Sequence, residues 1–277
     1  MWHYPTMEGH GTKSRILLVD DEPDLRTIAR LTLEHLGGFD VVEASSGAEA
    51  IAKAASLRPA IVLLDVMMPV MDGTEVFRGL QEDPSTRALP VIFLTAKAMP
   101  EELQRLRAMG ARAILTKPFN PAALVALVRQ VLDTRSAPAP GDAGSDVVAI
   151  PAQPSTPVDA DAEALEALWG LPGEAQPDLL GELIELFAAR TPEILRGIRD
   201  HVGIGATPEA ERLAHSLKGS ALTLGARGIA GLARTMERLA GEGRTEEILP
   251  LLDRADALLE PTIHRLRAGR DRLAGNA

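Results

Sequence analysis

The sequence predicts an α/β domain followed by an all-α domain: a doubly wound five-stranded parallel sheet, then an antiparallel four-helix bundle. Three observations carry this. Short apolar runs alternate with amphipathic stretches over residues 15–133, a Pro-rich stretch then breaks the pattern, and only helical periodicity follows. The 277 residues suit two domains of ordinary size. The expected boundaries are a disordered leader over 1–13, a first domain over 14–134, a linker over 135–160 and a second domain over 161–272.

The apolar runs are Ile16-Leu17-Leu18-Val19, Val41-Val42, Ile61-Val62-Leu63-Leu64, Val91-Ile92-Phe93-Leu94 and Ala113-Ile114-Leu115. The first, third and fourth are continuous rather than alternating, as strands buried on both faces require. Helical patterns begin near Pro23, Gly47, Gly73, Pro100 and Pro121, and Pro in a first helical turn loses no needed hydrogen bond. A strand followed each time by a helix gives a parallel sheet covered on both sides.

Pro138, Pro140, Pro151, Pro154 and Pro157, mixed with Ala, Gly, Ser and Asp, cannot build a core. The patch Val147-Val148-Ala149-Ile150 is read as part of that free linker, with docking onto the fold as the alternative. Beyond it a short segment is expected near 161–169, and long helices near 177–201, 208–224, 227–240 and 246–267. Leu179, Leu183, Leu186 and Phe187 recur at three and four residues, as one buried face does. Thr207 is expected as the N-cap, with Pro208 as first helical residue. Gly225 and Gly241 fall where helices should end. Short connections between such helices imply an antiparallel bundle.

Composition excludes several classes. The formal net charge is −10 with no dense Lys/Arg cluster, which argues against a nucleic-acid partner. The absence of cysteine rules out disulfides, thiolate metal sites and cysteine nucleophiles, and fits a cytoplasmic protein. No apolar run approaches the ~20 residues that span a bilayer, so no membrane insertion is expected. Gly203-Ile204-Gly205 is too short for a nucleotide loop and follows a helix.

The chemistry-bearing residues of the first domain fall at strand ends. Asp20 and Asp21 follow the first strand, Asp65 the third, Thr95 the fourth and Lys117 the fifth. In an open parallel sheet these carboxyl ends form one rim, so five reactive side chains far apart in sequence converge. Crowded carboxylates need a counter-charge, and an all-oxygen donor set favours Mg2+. A metal ion and a lysine there suit a phosphoryl group, whose transfer rests on positioning and charge neutralisation.

The segments Val19-Asp20-Asp21-Glu22, Leu64-Asp65-Val66-Met67-Met68-Pro69-Val70-Met71-Asp72-Gly73, Leu94-Thr95-Ala96 and Thr116-Lys117-Pro118-Phe119 resemble, in order and spacing, the receiver domain of response regulators, a flavodoxin-like fold. The resemblance implies that Asp65 is the phosphoacceptor. Asp21, Asp65 and the Met67 backbone carbonyl would hold Mg2+, with Asp20 acting through metal-bound water. Thr95 and Lys117 would bind phosphoryl oxygens, and a cis Lys117-Pro118 peptide is expected. Ile114 stands where such domains often carry an aromatic switch residue, so ordinary aromatic switching is not expected. Met67 offers no polar group to orient an attacking water, which predicts slow loss of the aspartyl phosphate.

In the second domain His215, Lys218 and Leu222 share one helix face by their spacing, while Leu213, Leu217, Ala221 and Leu224 share another that should face the core. Gly219, one turn beyond His215, costs a helix about 1 kcal/mol against Ala, which makes sense if it clears room for a docking partner. The stretch Ala214-His215-Ser216-Leu217-Lys218-Gly219-Ser220-Ala221 resembles histidine phosphotransfer (Hpt) domains. That resemblance implies His215 as phosphoacceptor, with Lys218 offsetting the charge of the phosphoryl group.

Together these readings predict a phosphorelay intermediate carrying phosphoryl groups on Asp65 and His215. It would be a carrier without a kinase core, partnered by a sensor or hybrid histidine kinase and by other receiver domains or Hpt proteins. Two alternatives stay open: a binding module in which Asp65 phosphorylation controls access to His215, and a phosphate sink for a partner kinase. Exchange between Asp65 and His215 of one chain is likewise open; a flexible linker spanning roughly 25–30 Å permits it.

Overall fold

A computed structural model describes residues 13–96, 99–117, 119–136, 149–150 and 176–275. The expected leader except Lys13, the short segment near 161–169, Pro118 of the expected cis peptide and nearly all of the linker lie outside these residues. The first domain runs β1 (Arg15–Val19), α1 (Pro23–His35), β2 (Asp40–Ala44), α2 (Gly47–Leu57), β3 (Ile61–Asp65), α3 (Gly73–Glu82), β4 (Val91–Thr95), α4 (Pro100–Ala108), β5 (Ala113–Thr116) and α5 (Pro121–Ser136). All five helices begin at the residues where helical patterns were expected.

The strands are parallel, in the order β2-β1-β3-β4-β5, with a further strand β6 (Ala149–Ile150) beyond β5. This sixth strand corrects the free-linker expectation at two residues: Ala149 stands opposite Ile114 and Ile150 opposite Leu115. The edge of β5 otherwise presents unpaired backbone groups, and a short apolar segment is suited to pair with them.

The continuous apolar runs feed two cores. Ile16, Leu18, Ile61, Leu63, Ile92 and Leu94 pack with Ala29 and Leu33 of α1 and with Leu124 and Val128 of α5. Their neighbours Leu17, Val19, Val62, Leu64, Val91 and Phe93 pack on the other face with Val76, Phe77 and Leu80 of α3 and Leu106 of α4. Alternation in side-chain direction along each strand explains why every position had to be apolar.

The second domain comprises α6 (Gln176–Gly203), α7 (Thr207–Thr223), α8 (Arg227–Gly241), a 3₁₀ turn (Thr245–Glu247) and α9 (Leu249–Gly275). Helix α6 packs against α7 and α9, and α8 against the same two, closing a four-helix bundle. Leu179, Leu183, Phe187, Leu217, Ala221, Leu224, Met236 and Leu266 are among its buried core. The N-cap of α7 is Ala206, not Thr207, and no side chain caps it. Thr207 already lies within the helix and Pro208 in its first turn, one position later than expected. Gly225 ends the α7 connection with φ +75°, a conformation glycine adopts without steric cost. Among the described residues no helix is long and apolar enough to cross a membrane.

Candidate functional site

The carboxyl ends of β1, β3, β4 and β5 bring the five expected residues to one rim. Asp65 is the last residue of β3 and Thr95 the last of β4, while Asp20 and Lys117 each follow a strand by one residue. Asp20 and Asp65 are 2% and 3% exposed and Thr95 is fully buried. Lys117 Nζ lies 2.6 Å from Asp20 Oδ2 and 3.0 Å from Asp65 Oδ2. One carboxylate oxygen each from Asp20, Asp21 and Asp65 lie within 4.8 Å of one another. The backbone holds the cluster: Glu22 N donates to Asp20 Oδ1 at 2.9 Å, Met67 N to Asp65 Oδ1 at 3.3 Å, and Lys117 N to the Thr95 carbonyl at 2.7 Å.

The charges are out of balance in the way a cation would correct. Burial pushes the Asp65 carboxyl up to about 7, Lys117 pulls it down and Asp20 pushes it up again. Burial also raises Asp21, with Asp20 adding to it. Burial opposes the Lys117 charge, but Asp20 and then Asp65 outweigh it and hold the ammonium firmly protonated. The donor set is wholly hard oxygen and carries more negative charge than one lysine offsets, which fits a small divalent cation.

The loop after Asp65 is fixed by a close approach. A Cβ on Gly73 would lie 2.1 Å from the Asp65 carbonyl oxygen, so only glycine lets α3 start against the end of β3. Asp72 and Glu75 then form a reciprocal capping box at the start of α3. Val70, fully exposed in the same loop, has φ +69°, an outlier for a β-branched residue.

On α7, His215 is partly exposed and its Nδ1 donates to Glu237 Oε1 at 2.6 Å. Lys218 Nζ donates to Glu237 Oε2 at 2.5 Å and lies 3.3 Å from His215 Nδ1. An ionised carboxylate only accepts, so Nδ1 carries the proton and the neutral ring keeps its lone pair on Nε2. The bond to Glu237 raises the His215 pKa against burial and against the Lys218 charge. Burial raises Glu237, but its bonds to His215 and Lys218 prevail and hold it below the usual carboxylate range. Leu217, Ala221 and Leu224 face the core as expected, and Leu213 and Leu222 are partly buried against it.

Family models describe both halves: "Response regulator receiver domain" matches residues 16–129 and "Hpt domain" residues 182–269. The chain is a response regulator receiver fused to an Hpt domain. The Hpt match lies within the bundle. The chain is 40% identical over 131 residues to "Response regulator Rre1" of Synechocystis, covering 47% of this chain and 56% of that protein. It is 40% identical over 115 residues to an "Uncharacterized 14.6 kDa protein in sodA1 3'region" of Leptolyngbya boryana, covering 42% and 87%. The chain spans about half the length of several of its curated relatives, 56%, 51% and 46% of three of them. The structure of Vibrio cholerae chemotaxis protein CheY4 is 35% identical, with a TM-score of 0.41 over 43% of this chain and 98% of that one. Receiver and Hpt domains are phosphotransfer modules, and their fusion assigns the chain to two-component phosphorelay signal transduction.

Within the receiver, Ile114 is fully buried among the apolar residues of the α3 and α4 face, and Met67 is half exposed beside Asp65. Within the Hpt domain, sequence reasoning missed Glu237. A geometric signal was available. In an antiparallel hairpin, residues equidistant from the turn stand level, and His215 and Glu237 lie eleven residues on either side of Ala226.

Proposed function

We propose that this protein is a phosphorelay intermediate whose phosphoryl carriers are Asp65 and His215. The observation that supports this best is that each nucleophile is held beside a lysine: Asp65 beside Lys117, and His215 between Glu237 and Lys218. Mg2+ would be held by Asp21, Asp65 and the Met67 carbonyl, with Asp20 acting through metal-bound water. Bound there, the ion supplies positive charge opposite the phosphoryl oxygens.

The chain's own residues do the rest. The Asp65 carboxylate attacks the phosphorus of a phosphohistidine donor, the donor's N–P bond breaks with its electron pair returning to the imidazole, and Thr95 and Lys117 bind the phosphoryl oxygens as they shift. On α7, Glu237 keeps the Nδ1 proton in place so that Nε2 is the attacking atom. Lys218 offsets the negative charge that arrives. With Met67 beside Asp65 rather than a polar side chain, the aspartyl phosphate is lost slowly to water.

The partners are a sensor or hybrid histidine kinase and other receiver or Hpt proteins, not nucleic acid, and the site of action is the cytoplasm. The chain carries phosphoryl groups and catalyses its own receiver phosphorylation without acting as a kinase. The test is a phosphotransfer profile against candidate kinases and receivers with Asp65→Asn and His215→Gln chains. Each substitution should remove one class of label, acyl phosphate or phosphohistidine. Label that persists at both positions in the respective variants overturns the assignment.

A further inference from the structure

Helix α1 belongs to the receiver, yet it has two apolar faces. Ala29 and Leu33 pack on the sheet. Leu25 and Ile28 are 5% and 4% exposed and are buried in the core of the bundle instead, with Leu31 and Leu36 packed against the same cluster. The contact is shaped as well as apolar. A Cβ on Gly219 would meet Leu25 Cδ1 and Cδ2 at 3.2 Å, so Leu25 fills the space beside the His215 turn that this glycine leaves. Charge fixes the register: Arg190 Nε of α6 lies 2.9 Å from Asp24 Oδ1, and Asp24 is buried. His35 Nε2 at the far end of α1 stands 3.9 Å from Glu182 Oε2.

Glu22, at the junction between the pocket and α1, is buried, and one of its carboxylate oxygens has no hydrogen-bond partner among the described residues. Lys117 and Asp20 act on it from the pocket, while His215 and Ser216 act on it from α7. Asp21 likewise feels Arg212, one turn before His215 on α7. Helix α1 therefore starts two residues after Asp21 of the pocket and buries Leu25 against the histidine helix, joining the pocket rim to α7.

We propose that α1 and the α6–α7 face form a cis docking interface through which Asp65 and His215 of the same chain exchange the phosphoryl group, with Leu25–Gly219 and Asp24–Arg190 selecting this pairing. The inference rests on the reading of Asp65 and His215 as carriers. In transfer from the receiver, the bond between Asp65 Oδ and phosphorus breaks and its electron pair returns to the carboxylate. The His215 Nε2 lone pair forms the new N–P bond. The Nδ1 proton stays in the hydrogen bond to Glu237, so no other co-reactant is needed.

The full-length chain, labelled at Asp65 with a radioactive small acyl phosphate and Mg2+, tests this by following acid-labile label on His215. Within one chain the rate should stay constant over a ~100-fold dilution, because the linker fixes the local concentration. Arg190→Glu should slow transfer about tenfold or more, and adding Asp24→Arg should restore it. Because the chain has no cysteine, a Leu25→Cys/Gly219→Cys chain should also form one disulfide under mild oxidation. A rate proportional to protein concentration overturns the cis interface while leaving both carriers intact. So does a mixture of Asp65→Asn and His215→Gln chains that transfers as fast as the intact protein, or failure of the paired cysteines to join. Failure of Asp65 to label, or of His215 to label from any phosphorylated receiver, overturns the carrier reading itself and the proposal with it.

Discussion

Replacing Glu237 by Gln removes one charge from the His215 site while keeping its size and one acceptor oxygen. Glu237 holds two charge-assisted bonds, 2.6 Å to His215 Nδ1 and 2.5 Å to Lys218 Nζ. Such bonds contribute about 1.5–3 kcal/mol each when well shielded. The side chains of Glu237 and Lys218 are 21% and 20% exposed, and glutamine retains one bond, so the net loss should be about 1–2 kcal/mol. The loss depends on pH with a definite sign. His215 has a raised pKa in the folded chain, so its contribution is complete below the ordinary histidine value of 6.5 and fades as pH rises through the raised value. Glu237 is lowered, so its contribution is complete above 4.5 and fades as pH falls through the depressed value. The penalty of Glu237→Gln is therefore greatest between these two ordinary values and smaller in alkaline solution, where only the Lys218 bond is lost. The groups facing the imidazole are Glu237, Lys218 and Glu22, and only Glu237 changes. Urea unfolding at about pH 6 and about pH 9, with a proton NMR titration of the His215 ring, measures both effects. Equal penalties at the two pH values, or a His215 midpoint that does not fall in the variant, would refute the assigned bond.

Val70→Asn should stabilise the chain by about 1 kcal/mol, because Val70 bears the left-handed backbone cost while fully exposed among the described residues. An unchanged urea midpoint would count against this. Gly73→Ala should cost about 1–3 kcal/mol and slow Asp65 phosphorylation, since the added methyl meets backbone that cannot swing aside. Normal labelling with normal stability would contradict the close approach. Saturating Mg2+ should raise the thermal midpoint of the native chain, and Asp21→Asn should abolish most of that rise. Equal shifts in both proteins would argue against Asp21 as a ligand.

The receiver pocket was legible because parallel topology turns strand order into proximity. Asp20, Asp65, Thr95 and Lys117 each sit at or just after a strand end, so the fold class alone predicts their meeting. The partner of His215 was less legible, because an amphipathic pattern reports the buried stripe of α8 and not which polar residue stands level with the histidine. Only the shared distance from the Ala226 turn marks Glu237. Strand β6 was hidden for a different reason. Two residues within a Pro-rich stretch carry too little periodicity to be told from linker, and their pairing follows from the open edge of β5.

Helix α1 holds the most instructive signal. A helix that covers one face of a sheet needs a single apolar stripe, and Ala29 with Leu33 supplies it. Leu25 and Ile28 exceed that need, and a receiver standing alone would leave them in water. Gly219 presents the complementary excess: a glycine in mid-helix, costly by about 1 kcal/mol, with no turn or positive φ to justify it. Each anomaly lies in a different domain and neither is explained by its own domain's fold. They cancel when Leu25 fills the space above Gly219. Two local departures from economy that match in size and chemistry suit a specific contact, whereas a non-specific contact between linked domains would require neither. The matched pair therefore argues for the docking of α1 on the histidine helix, which the dilution and cysteine-pairing experiments test.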